Sequence, residues 1–332
     1  MRIKLCLKIP RVFFVKLTAA ALVFLLSSII LPFYTSGDQT IYRKIYAGLP
    51  DFSLTKAFVF YAQRISSREF VHFFLSWVAS LFIAKDMFIA FSNAILAYIT
   101  MSLFLKWKAS VTIAFMLILS NFYLFVLYFA AERLKYGFIF MALSMINIDQ
   151  FKLFYMWAVV ALLSHASVLI VYVSILFKVF VEQISKLFRT GKVSKLSLRA
   201  IPFLIIPLLL VKSQIISKFL IYYTGGKLLD LGRISVFLLL ALLYSKKRSE
   251  TIILFIPIVI AAFLLGGFRV NMFGYFLFLY YGLRFRGGWN LGVLATSVYF
   301  AYSSTTLLIN IIQHGDGFFP GLKISLIGAL LP

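Results

Sequence analysis

Apolar runs of about 15 to 25 residues recur from one end of this chain to the other. They cover 12–33, 70–84, 87–105, 110–131, 134–148, 153–181, 201–221, 231–244, 251–268, 270–283 and 289–312. A helix of about 20 residues crosses a hydrocarbon core of about 30 Å. The pattern predicts an all-α polytopic membrane protein with about 10 (roughly 9–12) transmembrane helices, some of them short or re-entrant. A bundle of spans folds as one unit, so a single transmembrane domain is expected over residues 1–332.

Two connectors are long. Residues 34–69 hold Asp38, Arg43, Lys44, Asp51, Lys56, Arg64, Arg68 and Glu69, and residues 182–200 hold Lys186, Arg189, Lys192, Lys195 and Arg199 against Glu182. Basic connectors stay on the cytoplasmic side. The basic N-terminus (Arg2, Lys4, Lys8, Arg11, Lys16) ahead of the first run reads as a retained signal-anchor, with the N-terminus cytoplasmic. The 34–69 connector is then extracytoplasmic, while 182–200, Lys246-Lys247-Arg248 and Arg284/Arg286 are cytoplasmic.

The middle admits two arrangements. If 70–84 spans, Lys106 and Lys108 fall outside and Arg133 inside. If 70–84 lies at the outer interface, Lys106 and Lys108 are inside and Arg133 is outside. The second arrangement requires 153–181 to enter and leave by one side, as a pair broken near His165. The run 70–84 is short for a span, which favours the second.

Composition agrees with a membrane protein: 63% of residues are hydrophobic, 13% are charged and mean hydropathy is +1.00. Soluble domains carry about a quarter charged residues. The net charge of +23 would point to nucleic acid in a soluble protein. Here the basic residues sit in connectors, so they read as orientation signals and contacts to anionic lipid, and no nucleic-acid partner is expected. A single cysteine, Cys6, excludes an internal disulfide and a multi-cysteine metal site. His72, His165 and His314 are far apart, and no carboxylates pair at metal-ligand spacing, so no metal is expected. GxxxxGK[ST] and GxGxxG are both missing, so no nucleotide or other cofactor is expected.

An ionisable residue in or beside a span is a functional candidate by default, because burying it is costly. Asp38 opens Gly37-Asp38-x3-Tyr42-x3-Tyr46, which on a helix sets one carboxylate and two phenols along one stripe. The carboxylate can serve as general base or hold a sugar hydroxyl, and tyrosine rings stack on sugars. A helix N-cap with interfacial anchoring tyrosines is the plainer alternative. Glu132-Arg133 lies between two apolar runs, where an arginine suits a diphosphate and a loop ion pair is the alternative. His165 sits deep in an apolar run, for acid–base work or a phosphate contact, or simply bonded to a neighbouring serine. Arg233 and Arg269 each open a run beside glycine on the expected outer side, as an anionic site or as snorkelling arginines. Glu69 stands where the outer segment meets the next apolar run.

In this order the features resemble the EpsG/Wzy-type polymerases of bacterial O-antigen, capsule and exopolysaccharide. The stretches that carry the resemblance are Gly37-Asp38-x3-Tyr42-x3-Tyr46, Glu69, Arg133-Leu134-Lys135-Tyr136-Gly137-Phe138, Ser164-His165-Ala166-Ser167, Arg233 and Arg269, from about 37 to 285. The family usually has Arg-Gln where this chain has Arg133-Leu134, and a Pro/Gly-aromatic often follows the acid at Glu69.

The resemblance implies a membrane-embedded, lipid-linked glycosyltransferase at the outer face of the cytoplasmic membrane. Such an enzyme joins oligosaccharide repeat units carried on undecaprenyl diphosphate and needs no nucleotide. Its partners would be that substrate, membrane lipid, and the flippase and chain-length regulator of the same pathway. The implied roles are diphosphate binding for Arg133, Arg233 and Arg269, sugar contacts for Tyr42 and Tyr46, and catalysis for Asp38, Glu69 and His165. A membrane O-acyltransferase modifying a surface glycan is the enzyme rival, and would need a catalytic histidine. A flippase of the lipid-linked oligosaccharide is the non-enzyme rival, and would be expected to show internal repeats, which this chain lacks. An O-antigen ligase would carry a larger outer loop late in the chain.

Overall fold

The computed structural model describes residues 11–65, 69–190 and 231–319, and every regular element in them is helical. The apolar run 201–221, residues 191–200 of the second long connector and Arg68 of the first lie outside the described residues. The first helix, α1 (Arg11–Ile30), closes in a 3-10 turn at Leu31–Phe33, where Pro32 ends the regular pattern. The outer connector is largely helical: α2 (Asp38–Gly48) and α3 (Leu54–Ile65) are amphipathic and joined by a second proline turn, Leu49–Asp51. α4 (Phe70–Ser80) is short, and α5 (Lys85–Lys106) is long.

Polar residues mark the next breaks. Ser110 caps α6 (Val111–Ser120), and Asn121 stops that helix and accepts from Tyr123 N and Leu124 N to start α7 (Phe122–Phe125). The two are bent by 52°. α7 widens into a π turn, Val126–Ala130, before α8 (Glu132–Ile146). His165 is extended (φ −160, ψ 122) and separates α9 (Phe151–Ser164) from α10 (Leu169–Thr190). The remaining described helices are α11 (Leu231–Tyr244), α12 (Arg248–Leu265), α13 (Gly267–Arg284) and α14 (Leu291–His314).

α5 sets the distance between two ends of the bundle, since its 22 residues rise about 33 Å. At its start, Lys85 meets Glu132 (2.6 Å) and Asp86 meets Arg43 (2.9 Å). At its finish, Lys106 meets Asp149 and the carbonyl of Ile146, and Ser110 N donates to Gly287 O (2.8 Å). So Lys106 and Lys108 share an end with Arg284 and Arg286, and Arg133 lies at the other end with the 34–69 connector. α8 runs parallel to α5, α9 returns, and α10 leaves again after the break at His165. α4, of 11 residues, is among the shorter apolar helices.

Five described helical stretches are long and apolar enough to span a membrane: Arg11–Phe33, Lys85–Lys106, Ala166–Thr190, Arg248–Leu265 and Arg286–His314. The bent pair Val111–Ser120 and Phe122–Ala130 makes a sixth if it counts as one span. The other apolar runs among the described residues form shorter helices, including Phe70–Ser80, Phe151–Ser164 and Leu231–Tyr244. Two runs read as continuous are broken by a polar residue, 110–131 at Asn121 and 153–181 at His165, which a count of apolar residues does not weigh.

Candidate functional site

The site begins with a turn only glycine fits well. Gly37 has φ +61, and a Cβ there would stand 2.8 Å from the Asp316 carboxylate. Gly37 takes the N-cap position, so Asp38 is the first residue of α2 and its carboxylate does not cap the helix. One turn on, Tyr42 is about nine-tenths buried and its oxygen accepts from Arg133 Nε (2.9 Å). Burial pushes the Tyr42 phenol up to about 12, although Arg133 opposes the shift, so it stays protonated near neutral pH.

The expected stripe ends there. At about 100° per residue, the eighth position after Asp38 is turned about 80° away. Tyr46 accordingly faces elsewhere, donating to Ile83 O (3.0 Å) and stacking on Phe88. It is not part of this site.

Arg133 and Glu132 do not pair with each other. Neighbours on a helix point about 100° apart, so each finds its own partner. Arg133 Nη1 binds Glu69 Oε2 (3.1 Å), and with Nε on Tyr42 its second terminal nitrogen is left for a ligand. Glu69 is fully buried just before α4, and its other oxygen lies 3.5 Å from His165 Nε2.

The tautomer of His165 follows from its other side. Ser167 N donates to Nδ1 (3.2 Å), so a neutral ring carries its proton on Nε2, facing Glu69. Its partner is thus the serine's backbone rather than its hydroxyl. Glu69 thus bridges Arg133 and His165, one carboxylate oxygen toward each.

Gly137 explains how the break reaches α8. A Cβ at this position would meet His165 Cβ at 3.0 Å and Val168 Cγ1 at 3.1 Å. Gly137→Leu is expected to push His165 off Glu69, destabilising the fold by about 1–3 kcal/mol. Thermal unfolding in detergent reads that loss, and an unchanged melting temperature contradicts the close packing.

Asp38, Tyr42, Arg133 and His165 line one cavity of about 110 Å³, with Tyr123 and Phe318 among the other walls. This is roughly eight times the room one water needs, enough for a small anionic group. The π turn supplies Val126 and Ala130 to the same wall; such turns are frequent at functional sites. Arg233 is exposed in the first turn of α11. Arg269 lies in the first turn of α13, one turn before the cavity-lining Met272, and its side chain lies outside the described residues. Among the described residues no three His, Cys, Asp or Glu side chains gather as a metal ligand set.

A buried polar layer supports this end, and reading the sequence did not single it out. Lys85 Nζ donates to Glu132 Oε1 and to Gln39 Oε1, both at 2.6 Å. Gln39 Nε2 donates to Glu132 Oε1 (2.8 Å) and Phe129 O (3.2 Å). Gln39 follows Asp38 directly, so the layer pins the start of α2 to α5, the π turn and α8. Lys135, also fully buried, donates to Ser92 Oγ (3.1 Å). The available signal was charge inside apolar runs: Lys85 precedes one and Lys135 interrupts another. Compared with protein-family models, with curated proteins and with solved structures, the chain matches none.

Proposed function

We propose that the protein is a membrane-embedded polymerase that joins oligosaccharide repeat units carried on undecaprenyl diphosphate, at the outer face of a bacterial cytoplasmic membrane. The observation that carries this reading is the meeting of Asp38, Tyr42, Arg133 and His165 around one cavity, the last two bridged by Glu69, from positions far apart in the chain. That cavity lies at the end of the bundle opposite the basic connectors, and basic connectors face the cytoplasm. We read each described segment that runs between the two ends as a span: α1, α5, the α6–α7 pair and α8 through α14, ten among the described residues. α8 and α9 are short because both stop at the cavity.

The transfer proceeds as follows. The hydroxyl of the acceptor sugar attacks the anomeric carbon of the donor chain. A C–O bond forms there as the bond to the lipid diphosphate breaks, and the bonding pair leaves on the diphosphate oxygen. Arg133, aligned by Glu69 and Tyr42, offsets that developing charge, and Arg233 and Arg269 are assigned the same role. Asp38 takes the hydroxyl proton and returns it to water. His165 keeps Glu69 oriented.

Deleting the gene in its host and separating the surface polysaccharide by size tests this reading. Single-repeat material in place of a ladder, restored by the wild-type gene, is the expected result. An unchanged ladder overturns it, and repeat units trapped inside the cell point to a flippase instead.

A further inference from the structure

Arg133, His165, Asp38 and the ring of Phe318 all line the cavity. Phe318 comes from the turn after α14, far from the others in sequence. Thr35 N and Ser36 N both donate to Gly315 O, at 3.1 and 2.8 Å, which lays the turn after α14 against the start of α2. This brings the Asp316 carboxylate into the space a side chain at position 37 would fill, next to Asp38. The Phe318 ring, about half exposed, then lies over the cavity.

Three observations point to a ligand here. Among the described residues neither Asp38 nor Asp316 enters an ion pair. Tyr42, nine-tenths buried on the cavity wall, accepts from Arg133, so its own hydroxyl proton is left to donate, and among the described residues no acceptor meets it. The buried Tyr34 phenol is held above its ordinary range by burial and then by Asp316 and Asp38 together, so the two carboxylates act on one point. Two acceptors, one donor and an aromatic face make a surface suited to a sugar ring, whose hydroxyls donate and accept and whose C–H face is apolar.

We infer that Asp38, Tyr42, Asp316 and Phe318 form the subsite for the acceptor's terminal sugar, and that this sugar is uncharged or carries a free amino group. A sugar bearing a carboxylate would set a third negative charge beside two, which like-charge repulsion disfavours strongly. This assignment rests on the polymerase reading and gives it a substrate class. Asp316 and Phe318 are distant in sequence from the other site residues.

The test uses the purified protein in nanodiscs, the lipid-linked repeat unit as donor and the same oligosaccharide as an octyl glycoside as acceptor. Asp316→Asn keeps the bond from Phe318 N, which Asp316 Oδ1 now accepts, and removes the charge. It should raise the acceptor KM about tenfold, as expected for a lost charge-assisted hydrogen bond, and move the donor KM less than about twofold. Phe318→Ala should act in the same direction. Chemical analysis of the repeat unit gives an independent reading: its non-reducing terminal sugar should be neutral or amino-bearing. A uronic acid there, or an acceptor KM unmoved in both variants, overturns the subsite and leaves the polymerase reading intact. A wild-type protein that elongates nothing overturns both.

Discussion

Arg133→Ala should reduce polymerisation by about two to three orders of magnitude, the loss seen when a donor to a developing negative charge is removed. Arg133 has its side chain built into the cavity wall by two neighbours, Tyr42 at 2.9 Å and Glu69 at 3.1 Å. A lysine at this position keeps the charge but cannot span Tyr42, Glu69 and a phosphate at once. Arg133→Lys is therefore expected to remain at least about tenfold below wild type. A complication is that alanine leaves Glu69, fully buried, without its arginine and with only the weaker contact to His165 beside it. Breaking a buried pair costs about 3–5 kcal/mol, so lost activity alone would not separate chemistry from folding. The double variant Arg133→Met/Glu69→Gln resolves this. It removes both charges, should recover much of the melting temperature, and should remain inactive. Activity in that double variant would remove Arg133 from the mechanism.

The largest stability effect is expected at Lys85. Its ammonium binds Glu132 and Gln39 with side-chain exposures of 8% for Lys85 and 2% for Glu132. Lys85→Met leaves the Glu132 carboxylate inside the bundle with only the Gln39 amide on it, and should destabilise the fold by about 3–5 kcal/mol. Adding Glu132→Gln removes the stranded charge and should restore most of that loss. Unfolding in mixed micelles, followed by tryptophan fluorescence, measures both variants. If the single variant is as stable as wild type, the network does not anchor α2. Because Gln39 is the neighbour of Asp38, a weakened network should also impair the acceptor side of the cavity.

The ends of the bundle were more legible in the sequence than the contacts between them. Apolar runs locate most helices, because a residue in lipid must be apolar wherever it points. The breaks at Asn121 and His165 are polar residues that turn up inside such runs, and His165 was readable as one. Which charges meet was not readable. Glu132 and Arg133 look like a pair in sequence but diverge on the helix, one to Lys85 and one to Glu69. Tyr46 was lost from the stripe because a repeat of four drifts on a helix of 3.6 residues per turn. Asp316 left no local signal, because its place depends on where α14 ends against the α1–α2 turn. Gly137, quoted as part of a loose motif, has a definite physical reason: it lets His165 approach α8.

The central claim is that this cavity transfers a sugar chain from a lipid diphosphate. It is tested most directly by incubating purified protein in nanodiscs with the lipid-linked repeat unit alone, then following chain length and released lipid diphosphate together. The account predicts a ladder of products, one lipid diphosphate released for every linkage formed, and neither product with Arg133→Met/Glu69→Gln. Release of lipid diphosphate without elongation, or no change in the substrate under wild-type protein, would contradict it.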